Sequence, residues 1–362
     1  MRSLIDICDF SVDQIATIVD LACEIADNPV KFSAVATGKT LATLFYEPST
    51  RTRLSFESAM YGLGGHVLGF ADGDTSSSSK GESMADTARV VSCYADIIAM
   101  RHPREGAAAV AAEHATVPVI NAGDGGHCHP TQTLTDLVTI FREWGRLDHL
   151  RIGICGDLKY GRTVHSLIAA MSRYEGVSFV LISPEELKLP GYVKKDVLEA
   201  NDIPYTQTAN LEEVLPDLDI LYMTRIQRER FDDPETYERL KDSYVLDAAK
   251  MALAAPGMRV LHPLPRVGEI SPEIDGDARA CYFRQVQNGK YARMALIMTL
   301  LGLAGASKGS APEGEQPVRE IHPELSCGNA RCITAVEPAL EPAFLRGKNG
   351  VLRCAYCETK VD

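Results

Sequence analysis

Short apolar runs alternate with segments of helical periodicity along most of the chain. Ser11-Val-Asp-Gln14 has the spacing of a capping box and precedes apolar residues at helical intervals, which predicts a first helix from Ser11. Continuous apolar runs, each predicted to be a buried strand, occupy residues 40–47, 66–72, 95–101, 118–123, 150–157, 177–184, 219–225 and 259–265. Such strands, separated by helices, predict parallel sheets covered by helices on both faces.

The eight runs divide into two sets of four, with a helical pattern at residues 131–144 between them. We therefore predict an α/β protein with two domains, each a parallel sheet flanked by helices, plus a small C-terminal zinc-binding domain. The predicted segments are a first domain at 1–132, a second at 133–303 whose C-terminal helix returns to the first, a linker at 304–320, and the small domain at 321–362. The linker is rich in Gly, Pro and charge, and the last segment is too short for a core without a staple.

Composition narrows the functional classes. The 362 residues carry a formal net charge of −12, which disfavours nucleic-acid binding and requires any anion site to be built from local basic groups. No apolar stretch reaches about 18 residues, and acids interrupt the apolar part of the N-terminus, so neither a membrane span nor a signal peptide is expected. Scattered cysteines without an export signal favour the cytoplasm.

A cluster of hydroxyl and guanidinium groups follows the first predicted strand. The segment Glu47-Pro-Ser-Thr-Arg-Thr-Arg53 precedes a helical pattern and carries the hydroxyls of Ser49, Thr50 and Thr52 beside Arg51. Free N–H groups and the helix dipole favour a phosphate at such a strand-to-helix turn. The alternative for the short pattern alone is an ordinary helix cap with surface arginines.

This segment resembles the phosphate-binding motif of carbamoyltransferases, and six further motifs resemble those of the aspartate carbamoyltransferase family. In chain order they are the serine run Ser76–Ser79 with Lys80-Gly-Glu82, Met100-Arg-His-Pro103, His129-Pro-Thr-Gln132, Asp157–Ser166, Thr224-Arg-Ile-Gln227 and His262-Pro-Leu-Pro-Arg266. The resemblance covers about residues 1–303. It implies an enzyme that transfers the carbamoyl group of carbamoyl phosphate to an amine.

The resemblance also implies a role for each matched residue. Thr52, Arg101 and His129 would donate to the carbamoyl oxygen, and the phosphate would be held by Ser49, Thr50, Arg51, Thr52 and Arg101. Gln132 and the backbone carbonyls of Pro263 and Leu264 would bind the carbamoyl amide. Ser76 and Lys80 would act in the site of a neighbouring subunit, with Lys80 counted among the catalytic and aspartate-binding groups. A shared site implies a homotrimer, or a hexamer made of two trimers.

Two acceptors fit the shared motifs, aspartate and ornithine. Ornithine enzymes of the family typically carry a Cys-Leu-Pro segment and an acidic Ser-Met-Gly motif, and the sequence has neither. Arg162, Arg225 and Gln227 instead suit two carboxylates, which guanidinium groups bind bidentately. The expected reaction therefore gives N-carbamoyl-L-aspartate and phosphate, an early step of pyrimidine biosynthesis, with ornithine as the alternative acceptor.

The tail holds two close cysteine pairs, Cys327-x4-Cys332 and Cys354-x2-Cys357. Four thiolates at this spacing predict a structural zinc ion, with disulfides as the alternative. The segment resembles the zinc domain of the aspartate carbamoyltransferase regulatory chain, but the nucleotide-binding domain of that chain is missing. Control by ATP or CTP at a regulatory site is therefore not expected.

Other functional classes remain to be weighed. A nucleic-acid-binding zinc module is disfavoured, because residues 321–362 contain only two aromatic residues and equal numbers of basic and acidic ones. A catalytically inactive scaffold is disfavoured because every expected site residue is present. Since those residues all precede residue 304, we expect that the chemistry does not use the metal directly.

Overall fold

The chain folds into two compact units, Met1–Thr131 with Lys290–Asp362, and Gln132–Gly289. The computed structural model describes residues 3–73, 80–226, 233–240, 243–304, 319–347 and 350–361. In these ranges, no helix combines the length and apolar character that a bilayer span requires.

The first unit is built on a four-stranded parallel sheet with strand order β2-β1-β3-β4. Its strands are β1 (Thr40–Phe45), β2 (His66–Phe70), β3 (Ile97–His102) and β4 (Val119–Asp124). Its helices are α1 (Val12–Asp27), α2 (Thr50–Gly62), α3 (Met84–Ser92) and α4 (Ala107–His114), and α5 (Pro130–Trp144) begins in it. The predicted capping box is confirmed, because the Ser11 hydroxyl accepts from the Gln14 amide at 3.2 Å and Gln14 Oε1 accepts from the Ser11 amide at 2.9 Å.

The second unit contains a five-stranded parallel sheet with strand order β7-β6-β5-β8-β9. Its strands are β5 (Arg151–Cys155), β6 (Ser178–Ile182), β7 (Tyr205–Thr208), β8 (Ile220–Met223) and β9 (Arg259–Leu261). Its helices are α6 (Arg162–Met171), α7 (Gly191–Val193), α8 (Pro234–Leu240), α9 (Ala248–Leu253) and the start of α10 (Tyr282–Leu300), which continues into the first unit.

Short turns of 3-10 or π helix connect these elements. They occupy Ile7–Asp9, Pro29–Phe32, Glu185–Leu187, Lys194–Leu198, Glu199–Asn201, Leu215–Asp217, Pro272–Ile274 and Ile333–Ala335.

The fold class predicted from the apolar runs is confirmed. Each of the eight runs coincides with a strand. Six strands end before their run does, because the polar end of the run lies in the following loop, whereas β3 and β4 extend one residue beyond it. Strand β7 was not predicted, since Tyr205–Thr208 lies at the sheet edge and its polar side chains remain partly exposed. The C-terminal helix expected at the end of the second domain is α10, which begins at Tyr282.

The C-terminal segment forms a small module whose core is shared with the first unit. Its sheet is antiparallel and consists of β10 (Arg319–Ile321), β11 (Ala343–Arg346) and β12 (Leu352–Cys354). We call residues 319–361 the tail module. Its Ile333 and Tyr356 belong to one buried apolar cluster with Met84 of α3 and Val110 of α4. Residues 305–318 of the predicted linker lie outside the described ranges.

Candidate active site and metal centre

The carboxyl ends of β1, β3 and β4 meet at one edge of the first sheet, and three predicted motifs follow these strands. Ser49 is the N-cap of α2, so Thr50, Arg51 and Thr52 occupy the first turn of that helix. Thr52 is buried, whereas Thr50 and Arg51 are exposed. A cation in the first turn of a helix opposes the helix dipole, so Arg51 does not serve helix stability and suits an anion bound at the N-terminus.

Arg101 lies at the end of β3, directly across from Phe45 at the end of β1. Its Nε donates to Glu47 Oε1 at 2.7 Å, and the two side chains are 15% and 28% exposed. Glu47 precedes the hydroxyl cluster of α2, so this ion pair holds the guanidinium beside the predicted phosphate-binding turn. Glu47 was not predicted to have a role, although its place in the motif is visible in the sequence.

His129 precedes α5 and is only 6% exposed. Its Nδ1 lies 3.4 Å from the hydroxyl of Thr131. The strand β4 that leads to it neighbours β3, so the edge of the first sheet brings Arg101 and His129 to adjacent strand ends. A buried imidazole at a helix N-terminus can donate to an anionic or polarised oxygen.

Gln132, the first residue of the second unit, is held by a buried carboxylate. Its Nε2 donates to Asp136 Oδ1 at 2.8 Å. Asp136 also accepts from Gln285 Nε2 at 2.6 Å and from the Tyr222 hydroxyl at 3.0 Å. Because Nε2 is engaged, the opposite atom of the amide, Oε1, is the one presented to a ligand. The role of Asp136 could not be read from the sequence, since two of its three partners named here, Tyr222 and Gln285, lie 86 and 149 residues away.

A pocket lies at the carboxyl edge of the second sheet. It is lined by Asp157, Gly161, Thr163, Thr224, Arg225, His262, Pro263, Leu264 and Pro265. Three of the predicted site residues, Arg225, Pro263 and Leu264, therefore share this pocket. Arg162 begins α6 next to Gly161, again placing a cation where the helix dipole favours an anion. A Cβ at Gly161 would lie 2.5 Å from the Asp157 carbonyl oxygen, so this turn requires glycine.

The turn that carries Pro263 and Leu264 is fixed by a buried histidine–glutamate pair. Leu264 has φ +55° and is followed by a cis peptide bond to Pro265. Its amide donates to His262 Nδ1 at 2.7 Å, and His262 Nε2 donates to Glu269 Oε1 at 2.7 Å. Burial opposes ionisation of Glu269, but His262 and backbone N–H groups lower the pKa of its carboxyl to about 2. The pair therefore fixes the backbone of the turn that lines the pocket.

Two predicted residues, Ser76 and Gln227, lie outside the described ranges. Lys80 is exposed, as expected for a group that acts outside its own subunit, and it precedes the Ser83 cap of α3.

The four tail cysteines converge on one point. Their Sγ atoms all lie within 4.8 Å of one another. The Sγ atoms of Cys327 and Cys357 are 3.5 Å apart, and those of Cys332 and Cys354 are 3.8 Å apart. These distances agree with a tetrahedral zinc site, in which zinc–sulfur bonds of about 2.3 Å place the sulfur atoms about 3.8 Å apart. These separations are far too long for disulfide bonds, and all ten cysteines are free thiols. The cluster therefore fits a tetrahedral metal ion.

Three family models match successive segments of the chain. Residues 2–142 match the aspartate/ornithine carbamoyltransferase carbamoyl-P binding domain, and residues 148–300 match the Asp/Orn binding domain of the same family. Residues 317–362 match the metal binding domain of the aspartate carbamoyltransferase regulatory chain.

Individual relatives are similar over nearly their whole length. The aspartate carbamoyltransferase catalytic subunit of Lachnoclostridium phytofermentans is 62% identical over 303 residues, covering 84% of this chain and 99% of the relative. That of Clostridium kluyveri is 63% identical over 302 residues, covering 83% and 98%.

Solved structures show the same similarity. The catalytic subunit of M. jannaschii aspartate transcarbamoylase is 48% identical with a TM-score of 0.78, covering 83% of this chain and 98% of that one. Aspartate transcarbamoylase from Trypanosoma cruzi in complex with carbamoyl phosphate and aspartate is 37% identical with a TM-score of 0.77, covering 83% and 96%. The chain therefore belongs to the aspartate/ornithine carbamoyltransferase family, and it carries in addition a C-terminal domain of the regulatory-chain metal-binding type.

Proposed function

We propose that this protein transfers the carbamoyl group of carbamoyl phosphate to L-aspartate, giving N-carbamoyl-L-aspartate and phosphate. The observation that carries the choice of acceptor is Arg225 in the pocket of the second unit, beside the turn of Pro263 and Leu264. A guanidinium group there attracts a carboxylate and repels the ammonium group of ornithine. The naming of the relatives as aspartate carbamoyltransferases supports the same acceptor.

The first unit is proposed to bind carbamoyl phosphate. Its phosphate is held by the first turn of α2, with Ser49, Thr50, Arg51 and Thr52, and by Arg101. Thr52, Arg101 and His129 donate to the carbamoyl oxygen as it gains negative charge, and one such donor is typically worth about 3 kcal/mol of transition-state stabilisation.

The carbamoyl amide is proposed to bind to acceptors of the second unit. Gln132 supplies Oε1, because Asp136 holds the other end of its amide. The backbone carbonyls of Pro263 and Leu264 accept from the same NH2 group. No nucleophilic side chain is required, since binding and orienting the two substrates supply a large part of the rate.

Aspartate is proposed to bind through two carboxylates. Arg162 holds the α-carboxylate, and Arg225 with Gln227 holds the side-chain carboxylate. Lys80 and Ser76 are proposed to reach the site of a neighbouring subunit, which makes a trimer the smallest complete assembly, with a hexamer of two trimers as the larger one.

The tail module is proposed to hold one structural zinc ion at Cys327, Cys332, Cys354 and Cys357, because four thiolates in tetrahedral arrangement select that metal. Zinc bound there supplies folding free energy to a small module and does not enter the reaction. Because the product is N-carbamoyl-L-aspartate, the proposed reaction is an early step of pyrimidine biosynthesis. Its proposed location is the cytoplasm.

The direct test is product formation. Purified protein with carbamoyl phosphate is offered aspartate, ornithine and other primary amines in turn, and the carbamoylated product is measured colorimetrically. We expect aspartate to be the only one of these amines that is carbamoylated. Turnover with ornithine but not aspartate would overturn the proposal.

A further inference from the structure

The loop between β4 and His129 is bound at its base by one carboxylate. Asp124, the last residue of β4, is 1% exposed. It accepts from the amide of Gly106 at 2.9 Å, from Asn121 Nδ2 at 3.0 Å and from the amide of Cys128 at 3.2 Å. Cys128 is bonded directly to His129, so the position of this loop determines the position of the His129 backbone.

The tail module reaches this loop through Glu105. One carboxylate oxygen of Glu105 accepts from the Gly126 amide at 3.2 Å, and the other accepts from Asn329 Nδ2 at 2.6 Å. The Glu105 backbone pairs with the tail as well, since its amide donates to the Arg331 carbonyl at 3.0 Å and its carbonyl accepts from the Ile333 amide at 2.9 Å. A continuous chain of hydrogen bonds therefore runs from Asn329 to the loop.

A second bridge reaches the same loop through His127. Its Nδ1 lies 3.0 Å from Asp124 Oδ2, and its Nε2 lies 3.6 Å from Glu358 Oε2 of the tail module. The imidazole is therefore an ion-pair partner of two carboxylates, one from each side of the interface.

Asp124, His127 and Cys128 also lie close enough together to hold a metal ion. Two features favour the ion pair instead. Both oxygens of Asp124 already accept from protein N–H groups, and burial raises the pKa of the Cys128 thiol well above its ordinary value. A protonated thiol and a saturated carboxylate make a poor metal site.

Glu358 carries a side chain although its backbone lies in the left-handed region. Glu358 has φ +58°. This left-handed conformation strains a residue that carries a side chain and is normally occupied by glycine. The ion pair with His127 gives a carboxylate at this position a compensating contact.

Both bridges start at residues that adjoin the metal-site cysteines. Asn329 lies between Cys327 and Cys332, and Glu358 follows Cys357. We propose that the tail module positions His129 for catalysis through the Asn329–Glu105–Gly126 and Glu358–His127–Asp124 bridges. Asn329, Glu105, His127 and Glu358 are then positioning residues, and the proposal rests on the function of His129 proposed above.

The test cuts both bridges without removing a cysteine. In the variant Asn329→Ala/Glu358→Gly the first bridge loses its donor, while glycine relieves the left-handed strain as the second bridge loses its carboxylate. Loss of a whole donor to a developing oxyanion costs about 100-fold or more, so a displaced donor is expected to lower kcat by about 5- to 10-fold with little change in the KM for aspartate. Hydrogen exchange of residues 125–128 should accelerate in parallel.

The matched control is Glu113→Gln. Glu113 of α4 pairs with Arg319 of the tail module, so this variant also weakens the interface but touches neither bridge. It should keep the wild-type kcat and wild-type exchange in residues 125–128. Metal content per chain and sedimentation mass should match wild type in both variants.

The proposal would be overturned if the double variant retains its metal and shows the wild-type kcat and wild-type hydrogen exchange in residues 125–128. If the double variant loses its metal, the variant Glu105→Gln tests the first bridge instead. Glutamine has only one accepting oxygen for the two donors, the Gly126 amide and Asn329 Nδ2. A slower kcat with faster loop exchange supports the bridge, and wild-type values of both refute it. The exchange measurement needs no turnover, so inactivity of the wild-type protein would refute the proposed function without deciding the bridges.

Discussion

At the scale of single residues, buried carboxylates orient groups that we propose face the substrates. Asp136 directs the amide of Gln132, and Glu269 directs His262 and, through it, the turn at Leu264. Neither Asp136 nor Glu269 is among the residues that were predicted to contact a substrate. Each nevertheless determines which polar atom of its neighbour is presented.

Arg225 is the residue whose loss should separate acceptor binding from carbamoyl phosphate binding. In Arg225→Ala the side-chain carboxylate of aspartate has no guanidinium partner, which costs several kcal/mol and should raise the KM for aspartate by at least about 100-fold. Carbamoyl phosphate binding, measured by calorimetry, should be unchanged. Arg239→Ala, which removes an exposed ion pair with Glu186 in the same unit, is the control. Near-normal turnover of Arg225→Ala at low aspartate would contradict the assignment.

The low pKa of Glu269 makes the stability of its turn dependent on pH. Because the folded pKa lies at about 2, below the ordinary value of 4.5, the ionised carboxyl stabilises the fold above pH 4.5 and this contribution is lost as the pH falls towards 2. Glu269→Gln should therefore cost about 2 kcal/mol at pH 7, after allowance for screening, and much less near pH 2.5. Urea unfolding at both pH values measures this difference, and an equal cost at the two values would disprove it.

At the scale of elements, the tail module completes α3 and α4. Glu337 accepts from the Met84 amide at 2.8 Å in the first turn of α3, where a negative charge also favours the helix dipole. Gly106, the N-cap of α4, has φ +86°, and a Cβ there would lie 2.6 Å from Tyr356 of the tail module. The surface on which the module docks therefore has no room for a side chain at this point.

Gly106→Ala should destabilise the full chain more than a chain ending at residue 304. Both chains incur the left-handed strain of about 1 kcal/mol, but only the full chain has Tyr356 to clash with the new methyl group. Thermal unfolding of the four proteins gives the difference directly. The shortened chain itself should be of lower mass and lower Tm, because truncation exposes the apolar surface of α3 and α4. Equal effects of the substitution in both chains would argue against this docking.

The strands and helices could be predicted from the sequence more fully than the contacts between the tail module and the rest of the first unit. Strands buried on both faces appear as continuous apolar runs, and the Ser11 capping box is a local signal, so both were predictable. Strand β7 was not, since an edge strand such as Tyr205–Thr208 need not be apolar. The pairing of Glu105 with Asn329 spans 224 residues and leaves no periodic signal, so only the folded chain reveals it.

At the scale of the whole molecule, shared sites can be detected by mixing inactive subunits. Lys80→Ala and Arg51→Ala chains should each be inactive, because each lacks one half of every site. In an equal mixture of exchanging trimers, about one site in four combines an intact Arg51 with an intact Lys80 from the neighbour, so about a quarter of wild-type activity should return. The control is a mixture of Lys80→Ala and wild-type chains, whose activity is measured before and after the subunits exchange. Demonstrated exchange without recovery would count against shared sites.

The shared core of the tail module has a consequence for the order of folding. Val110 and Ala111 of α4 pack against residues that lie more than 200 positions later, so these contacts are among those of greatest sequence separation in the protein. A ribosome adding 5–20 residues per second needs about 12–50 s to travel from Ala111 to Cys357. During that interval, the apolar face of α3 and α4 on the nascent chain lacks its native cover. Chaperone dependence during synthesis should therefore concentrate on this face, and it should end when the final cysteine pair emerges.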